Sequence, residues 1–329
     1  MSLHALLFPH LLADQKLSPG AVLLETGEGD TNALLPLIAS GCITGLTAAF
    51  PCLVGRRLAD TMSPELSKAL LDGGCQVMTE SPHQSDEQTR PVFPPTAHWL
   101  IGDWYLAPPA KASGRQAASR SLSLKLLQLV ALDADTCEIE AIFRHDPVLA
   151  YHLLRLVNSI GVGVGRTVSS FSQAILILGR QQLKRWLNLM LFAASQDDYR
   201  SAMLLARVAA RARSMELLAR AVGLDRATQE HAFMAGMLSM LGTLFGMTLT
   251  NVLSPLKLSE ALTTAVLHHT GELGSLLQTV ECGERADEAG LTDLLSTLNL
   301  TADDYNRITL EAYQWMLGII QEKQDRADA

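Results

Sequence analysis

"AFMAGMLSML", residues 232–241, decides the fold. Its apolar residues recur at helical spacing, and it carries Ser239-Met240 near the end of a turn. The run before it, "RARSMELLAR" (211–220), is equally helical, and so are "DPVLAYHLLRLVNS" (146–159) and "SQAILILGRQQLKRWL" (172–187). From residue 121 onward the pattern stays helical to the end. Asp135 with Glu138 makes a capping-box pattern ahead of "IEAIF", and Asp146-Pro147 starts a helix with a carboxylate at the cap and proline in the first turn. Residues 166–170 bridge to a helix over 172–178, Gly179 breaks it, and long helices are expected over 200–222 and 228–236. Thr301 with Asp304 caps a final helix through residue 321.

The first hundred residues read differently. "HALLF" (4–8), "AVLLET" (21–26), "CITGLTAAF" (42–50) and "CQVMTE" (75–80) are short apolar runs expected as buried strands. "NALLPLIASG" (32–41) and "SPELSKALLDGG" (63–74) read as helices closed by glycine. The alternation predicts βα units and a mostly parallel sheet. A polar, proline-rich loop follows at 81–96, and "PPAKASGRQAASRS" (108–121) reads as a linker. The expected organisation is therefore α+β: a small α/β segment over 1–109, a linker over 110–121, and an all-helical domain over 122–329.

With 329 residues the chain has room for one or two domains. Its five cysteines, Cys42, Cys52, Cys75, Cys137 and Cys282, are odd in number, scattered, and without a CxxC pair. That points to a reducing compartment and away from a disulfide framework or a zinc site. "MSLHALLFPH" lacks a basic stretch followed by an apolar core, so a cytoplasmic protein is expected. Residues 232–256 carry no charge and hold Gly242 and Gly246 at GxxxG spacing. Ser239, Thr243, Thr248, Thr250, Asn251, Ser254 and Pro255 interrupt that stretch, which reads as two buried helices without membrane insertion.

Charge is uneven. Residues 144–220 hold 11 Lys+Arg against 4 Asp+Glu, while 1–143 hold 9 against 15 and 221–329 hold 6 against 15. The basic middle is either a binding face for an anion or partner, or a face turned toward acidic segments of the same fold.

The helical motifs "DPVLAYHLLRLVNS", "SQAILILGRQQLKRWL", "ARARSMELLA" and "AFMAGMLSML" resemble the HDOD family. HDOD domains are all-helical relatives of the HD metal-dependent phosphohydrolases. The resemblance implies that the metal ligands are lost: an HD enzyme would show His-Asp where this chain has Ser239-Met240. Neither residue suits a hard cation, which wants carboxylate oxygen or imidazole nitrogen. The N-terminal segment resembles the EAL domain that often precedes such helices, the barrel that hydrolyses cyclic di-GMP. "HALLF" stands for Tyr-Glu-Leu-Leu-Phe, "LTAAF" for Ala-Leu-Asp-Asp-Phe, and "GDWYLAPP" (102–109) for the domain's end. The correspondence puts Ala5 in place of a metal-binding Glu, and Ala48-Ala49 in place of the Asp pair. Methyl groups hold neither metal nor attacking water. The segment is also far shorter than a (β/α)8 barrel of about 250 residues.

Other candidate sites have blander readings. His145-Asp146 is a literal HD dipeptide, but Pro147 follows and a helix cap explains it better. His268-His269 with His231 is the remaining cluster; adjacent histidines on a helix point about 100° apart, so they share a metal poorly. There is no GxSxG elbow, and "GVGVG" (161–165) lacks the Lys and Ser/Thr of a phosphate loop. "LKRWL" (183–187) and the arginines Arg200, Arg207, Arg211, Arg213 and Arg220 are left as a candidate partner face. On an ideal helix Arg200, Arg207 and Arg211 lie within one arc, with Arg213 and Arg220 opposite. Glu281, Glu284, Asp287 and Glu288 are their candidate partners within the chain.

The resulting expectation is a signal-transduction protein without catalysis, cofactor or metal, acting by contact with another signalling protein, with self-association left open. The alternatives are a residual cyclic di-GMP sensor or phosphodiesterase, and nucleic-acid binding through the central arginines. The acidic balance and the lack of stacking aromatics on that face weigh against the last.

Overall fold

The computed structural model describes residues 5–85, 89–109, 198–256 and 258–324, together with Lys125, Leu126, Gln128, Leu129, Ala134, Asp135, Glu138, Ile139, Arg185 and Leu189. The linker and the 145–146, 146–159, 161–165 and 172–178 readings lie outside the described residues.

Strand β1 (Leu7–Ala13) turns back into β2 (Pro19–Thr26), and the two pair antiparallel. Asp14 makes the turn: its carboxylate accepts from the N–H groups of Lys16 and Ser18, both at 2.9 Å. β3 (Cys52–Val54) joins β2 in parallel and β4 (Gln76–Val77) joins β3 in parallel. On the other side of β1, β6 (Leu100–Ile101) pairs antiparallel, and β5 (His83–Gln84) pairs with β6 in parallel. The order β4-β3-β2-β1-β6-β5 is thus a mixed sheet, not the mostly parallel one that alternation predicted. The correction comes from the hairpin, because a five-residue turn joins only antiparallel strands.

A second correction concerns residues 42–50. They hold a helix, α2 (Thr44–Ala49), and the strand lies just beyond at β3. A short apolar run does not separate a buried strand from a buried helix, and here packing decides. The Thr47 hydroxyl donates to the Gly73 carbonyl at 2.7 Å, and Gly45 lies so close to Gln314 that a Cβ would overlap it. The two predicted helices are present. A 3-10 turn (Thr31–Leu34) capped by Asp30 leads into α1 (Leu35–Ala39). After α3 (Arg56–Thr61), helix α4 (Pro64–Asp72) starts on Ser63, whose hydroxyl accepts from the Leu66 N–H at 3.2 Å. It is followed by Gly74 at φ +90°, a conformation that favours glycine.

The sheet is rolled. Only six Cα steps join Val77 in β4 to His83 in β5, a reach of at most about 22 Å, whereas a flat six-stranded sheet spans about 24 Å between its edge strands. Strands β4 and β5, adjacent in sequence, thus hold the opposite edges of a curved sheet. Side chains alternate accordingly. Leu12, Ala21, Leu23 and Leu53 form a small cluster on one face with Met78, Trp99 and Ile101, while Leu7, Val22, Leu24, Cys52, Val54 and Leu100 pack into the main core on the other. Burial on both faces explains why the strands read as unbroken apolar runs.

The helical part is built on α5 (Ser201–Ala221), most of whose residues are buried. Around it stand α6 (Arg226–Leu238), α7 (Leu241–Phe245), α8 (Leu249–Leu253), α9 (Glu260–His268), α10 (Gly271–Glu284), α11 (Glu288–Thr297) and α12 (Ala302–Gln324). α6 crosses α5 closely because both surfaces are small there. A Cβ on Gly236 would come within 2.7 Å of the Ala212 Cα. Thr301 and Asp304 cap α12 reciprocally, at 3.1 and 3.2 Å. Among the described residues no single helix is long and apolar enough to cross a membrane; the uncharged 232–256 stretch bends by 113° between two helical pieces.

Sheet and helices share one core. A single cluster runs from Leu7, Val22 and Leu24 to Leu204, Val208, Phe233 and Leu317. Asn306, fully buried on α12, accepts from the Leu7 N–H at 2.8 Å and donates to the Ala5 carbonyl at 2.9 Å. The Tyr313 hydroxyl donates to the Pro9 carbonyl at 2.6 Å, and the Glu28 N–H to the Glu288 carboxylate at 2.8 Å. The α/β segment is therefore packed against the helices through β1, with buried polar groups paired across the seam.

Candidate functional site

Ser239 and Met240 lie where α6 ends. Ser239 is the C-cap and Met240 is buried in the core. The Ser239 hydroxyl donates to the Gly236 carbonyl at 2.8 Å and accepts from Arg211 Nη1 at 2.8 Å. Arg211 extends further. Its Nε donates to Glu284 Oε1 at 2.9 Å, its Nη2 to Glu284 Oε2, and its Nη1 lies 3.4 Å from Glu281 Oε1. His269, the left-handed C-cap of α9 at φ +54°, meets Glu281 Oε2 through Nε2 at 3.0 Å. The region thus holds a guanidinium clamped by two carboxylates. Burial pushes the Glu284 carboxyl up, but Arg207 and Arg211 more than offset this and hold it below the usual range. His231 and His268 are exposed, and among the described residues no three His, Cys, Asp or Glu side chains converge on a common point.

The alanines are not brought together with this region. Ala5 is fully buried just ahead of β1, under Asn306, and Ala48 is exposed on α2. Ala49 ends α2.

The five arginines divide by direction. Side-chain exposure is 0% for Arg200, 12% for Arg207, 10% for Arg211, 21% for Arg213 and 56% for Arg220, so only the last two reach the surface. Arg200 forks onto Asp198, with 2.7 Å from Nη2 to Oδ2, and its Nη1 donates to the Ala107 carbonyl, tying the end of the α/β segment to the start of α5. Arg207 lies 3.5 Å from Glu284 Oε2. Arg213 bridges Glu216 at 2.9 Å and Glu311 at 2.8 Å, and Arg220 reaches Glu311 at 3.4 Å. The two arcs on the helix are real, but the Arg207–Arg211 arc faces the acidic α10 within the chain. Arg200, Arg207 and Arg211 therefore do not form part of an exposed face. Arg185 of "LKRWL" is likewise buried, between Glu216 and Glu230 at 2.7 Å each and 4.0 Å above the Phe233 ring.

Next to this network, between β1, α5, α10 and α12, lies a cavity of about 30 Å³ lined by Arg207, Arg211, Ser214, Glu284, Tyr305 and Tyr313 among others. That is room for about two waters, not for a nucleotide. Burial pushes the Tyr305 and Tyr313 phenols up, so both remain neutral donors. His10 on β1 is pushed down to about 4, first by burial and then by Arg207, and is uncharged at neutral pH. Glu281, Glu284, Asn306, Tyr313 and His10 were not singled out as this site from sequence. The acidic residues were foreseen only as alternative partners, and nothing local marks the others.

Comparison with known proteins fits the helical motifs. The HDOD domain family matches residues 121–272. Over 183 residues the chain is 29% identical to a Vibrio cholerae protein named cyclic di-GMP phosphodiesterase CdgJ, covering 56% of this chain and 42% of that one. Over 180 residues it is 26% identical to the uncharacterized protein YuxH of Bacillus subtilis, covering 54% and 43%. The matches span less than half the length of either relative. A crystal structure from Shewanella amazonensis SB2B aligns at 18% identity with a TM-score of 0.44, over 61% of this chain and 93% of that one. The family match and the helical architecture around α5 and α6 agree that this chain contains an HDOD domain, over residues 121–272.

Proposed function

We propose that the protein is a non-catalytic signal-transduction component that works in the cytoplasm by binding another signalling protein. The observation that carries this reading is the state of the Ser239 site. A serine and a methionine stand where the related enzymes have His-Asp, and the neighbouring carboxylates of Glu281 and Glu284 are engaged by Arg211. Such a set offers no open cation position, and so no metal-bound water of the kind the related HD phosphohydrolases use. The same reading takes the rolled sheet as a shortened, degenerate EAL-like segment, with Ala5 buried under Asn306 and Ala48 bare on α2. The surface arginines, Arg213 and Arg220, remain as partner-facing cations; bidentate Arg is enriched at interface hot spots.

The second reading is cyclic di-GMP hydrolysis or sensing, favoured by the name of the V. cholerae relative. Two experiments separate the readings. Calorimetric titration with cyclic di-GMP is expected to give no saturable isotherm in the low micromolar range, and a clear one would overturn the proposal. A pull-down from the native host with the full chain should capture a signalling protein whose retention drops in Arg220→Glu while the melting temperature holds. Retention unchanged by that variant would remove Arg220 from the interface.

A further inference from the structure

Two thiols lie side by side on the sheet. Leu53 of β3 pairs with Gln76 of β4 and Val54 with Val77, in parallel, so Cys52 and Cys75, one step earlier, stand opposite one another. Alternation sends both to the same face: Leu53 belongs to the small cluster, whereas Cys52 and Cys75 pack into the main core. Neighbouring strands run about 4.8 Å apart, within the Cα separation of about 4.4–6.8 Å that a disulfide spans. Both cysteines are free, at 1% and 3% exposure. Their thiols share a hydrogen bond, which pulls the Cys75 thiol down against the effect of burial and pushes the Cys52 thiol up. Cys75 is thus the nucleophile of the pair, with the Cys52 S–H beside it.

The other described cysteines are placed differently. Cys42, half-buried ahead of α2, donates its thiol to the Leu37 carbonyl at 2.9 Å, and Cys282 lies on α10 between Arg285 and Asp287. β4 is only two residues long and holds an edge of the sheet, where local opening costs least and exposes Cys75 to a small oxidant. We propose that Cys52 and Cys75 form a reversible dithiol–disulfide pair, oxidised by a peroxide and reset by a small thiol, that staples β4 to β3.

The chemistry balances within the pair. The Cys75 thiolate attacks a peroxide oxygen; an S–O bond forms, the O–O bond breaks, and the departing hydroxide takes up the Cys75 proton as water. The Cys52 sulfur then attacks the Cys75 sulfur; the S–S bond forms, the S–O bond breaks, and a second water leaves with the Cys52 proton. Two thiols are oxidised and one hydrogen peroxide is reduced. Resetting transfers the disulfide to two molecules of the small thiol by exchange. The link closes residues 53–74 into a loop and stops β4 from opening alone. The Met78 N–H, which donates to the Val54 carbonyl at 3.0 Å, should then exchange at least about tenfold more slowly.

The test treats the reduced full chain with hydrogen peroxide, blocks remaining thiols with iodoacetamide, and maps the non-reduced digest by mass spectrometry. The expected product is an intramolecular Cys52–Cys75 linked peptide with Cys42 and Cys282 alkylated, reversed by dithiothreitol and accompanied by slower exchange at Met78. A link from Cys75 to Cys42, sulfinic acid without a link, or a Cys52–Cys75 link that forms only in denaturant overturns the proposal. So does exchange at Met78 that oxidation leaves unchanged. Cys42→Ser should keep the link and Cys52→Ser abolish it; should Cys52→Ser fail to fold, the wild-type map alone decides.

Discussion

Arg211→Met tests the buried network most sharply. Methionine keeps most of the side-chain volume and removes the fork that holds both oxygens of Glu284, the Ser239 hydroxyl and Glu281. Glu284 is then a buried carboxylate whose remaining cation, Arg207, is 3.5 Å away. Breaking a buried pair from one side costs about 3–5 kcal/mol, and the residual Arg207 contact places this case near the lower end, about 3 kcal/mol. For a domain of this size that is a drop of roughly 6–12 °C in melting temperature. The loss must depend on pH. In the wild type the Glu284 carboxyl is held below its usual range, so its contribution is present above the unfolded value, about 4.3, and is lost as pH falls through the folded one. In the variant, burial is less opposed and the folded pKa rises. The penalty is then full at pH 7 and fades as the carboxyl takes a proton. Melting curves at pH 7.5 and pH 5 are the assay. A gap under about 2 °C at pH 7.5, or one that does not narrow toward pH 5, would refute the reasoning.

Three further outcomes follow from the same geometry. Gly236→Ala should destabilise despite alanine's helix propensity, by about 1–2 kcal/mol net, because its Cβ meets the Ala212 backbone and not a movable side chain; urea denaturation that shows equal or greater stability contradicts this. Asn306→Leu leaves the Leu7 N–H and the Ala5 carbonyl buried without partners, at about 2–4 kcal/mol, and hydrogen exchange at β1 should accelerate before that of α5. His10 is held down to about 4, so the stability it contributes is full above the unfolded value, about 6.5, and is lost as pH falls from there toward 4. His10→Gln should therefore flatten that part of the stability–pH curve, and an unchanged slope would remove His10 from it.

What sequence made legible was local. Ser63, Pro64 and the glycines of "SPELSKALLDGG" state a helix and its ends, and Thr301 with Asp304 states another, because caps act within a single turn. Of the HDOD motifs, "ARARSMELLA" is as visible, since it lies within the single helix α5. Residues 42–50 went the other way. Their apolar run suits either a strand or a helix, and the contacts that settle it, Gly45 against Gln314 and Thr47 against Gly73, come from distant parts of the chain. The antiparallel hairpin was missed because it turns on Asp14, an Asx turn hidden in "ADQKLS". Charge counting found the arginines but not their direction. Arg207 and Arg211 belong to the interior because α10 brings Glu281 and Glu284 some seventy residues on, and that pairing is set by tertiary packing.

The central claim is that this scaffold binds and does not hydrolyse. Its most direct test is incubation of the purified full chain with cyclic di-GMP in the presence of magnesium and then manganese, with products separated by chromatography over several hours. The account predicts no linear dinucleotide or GMP above the protein-free control. Product that grows with time and with protein concentration would contradict it.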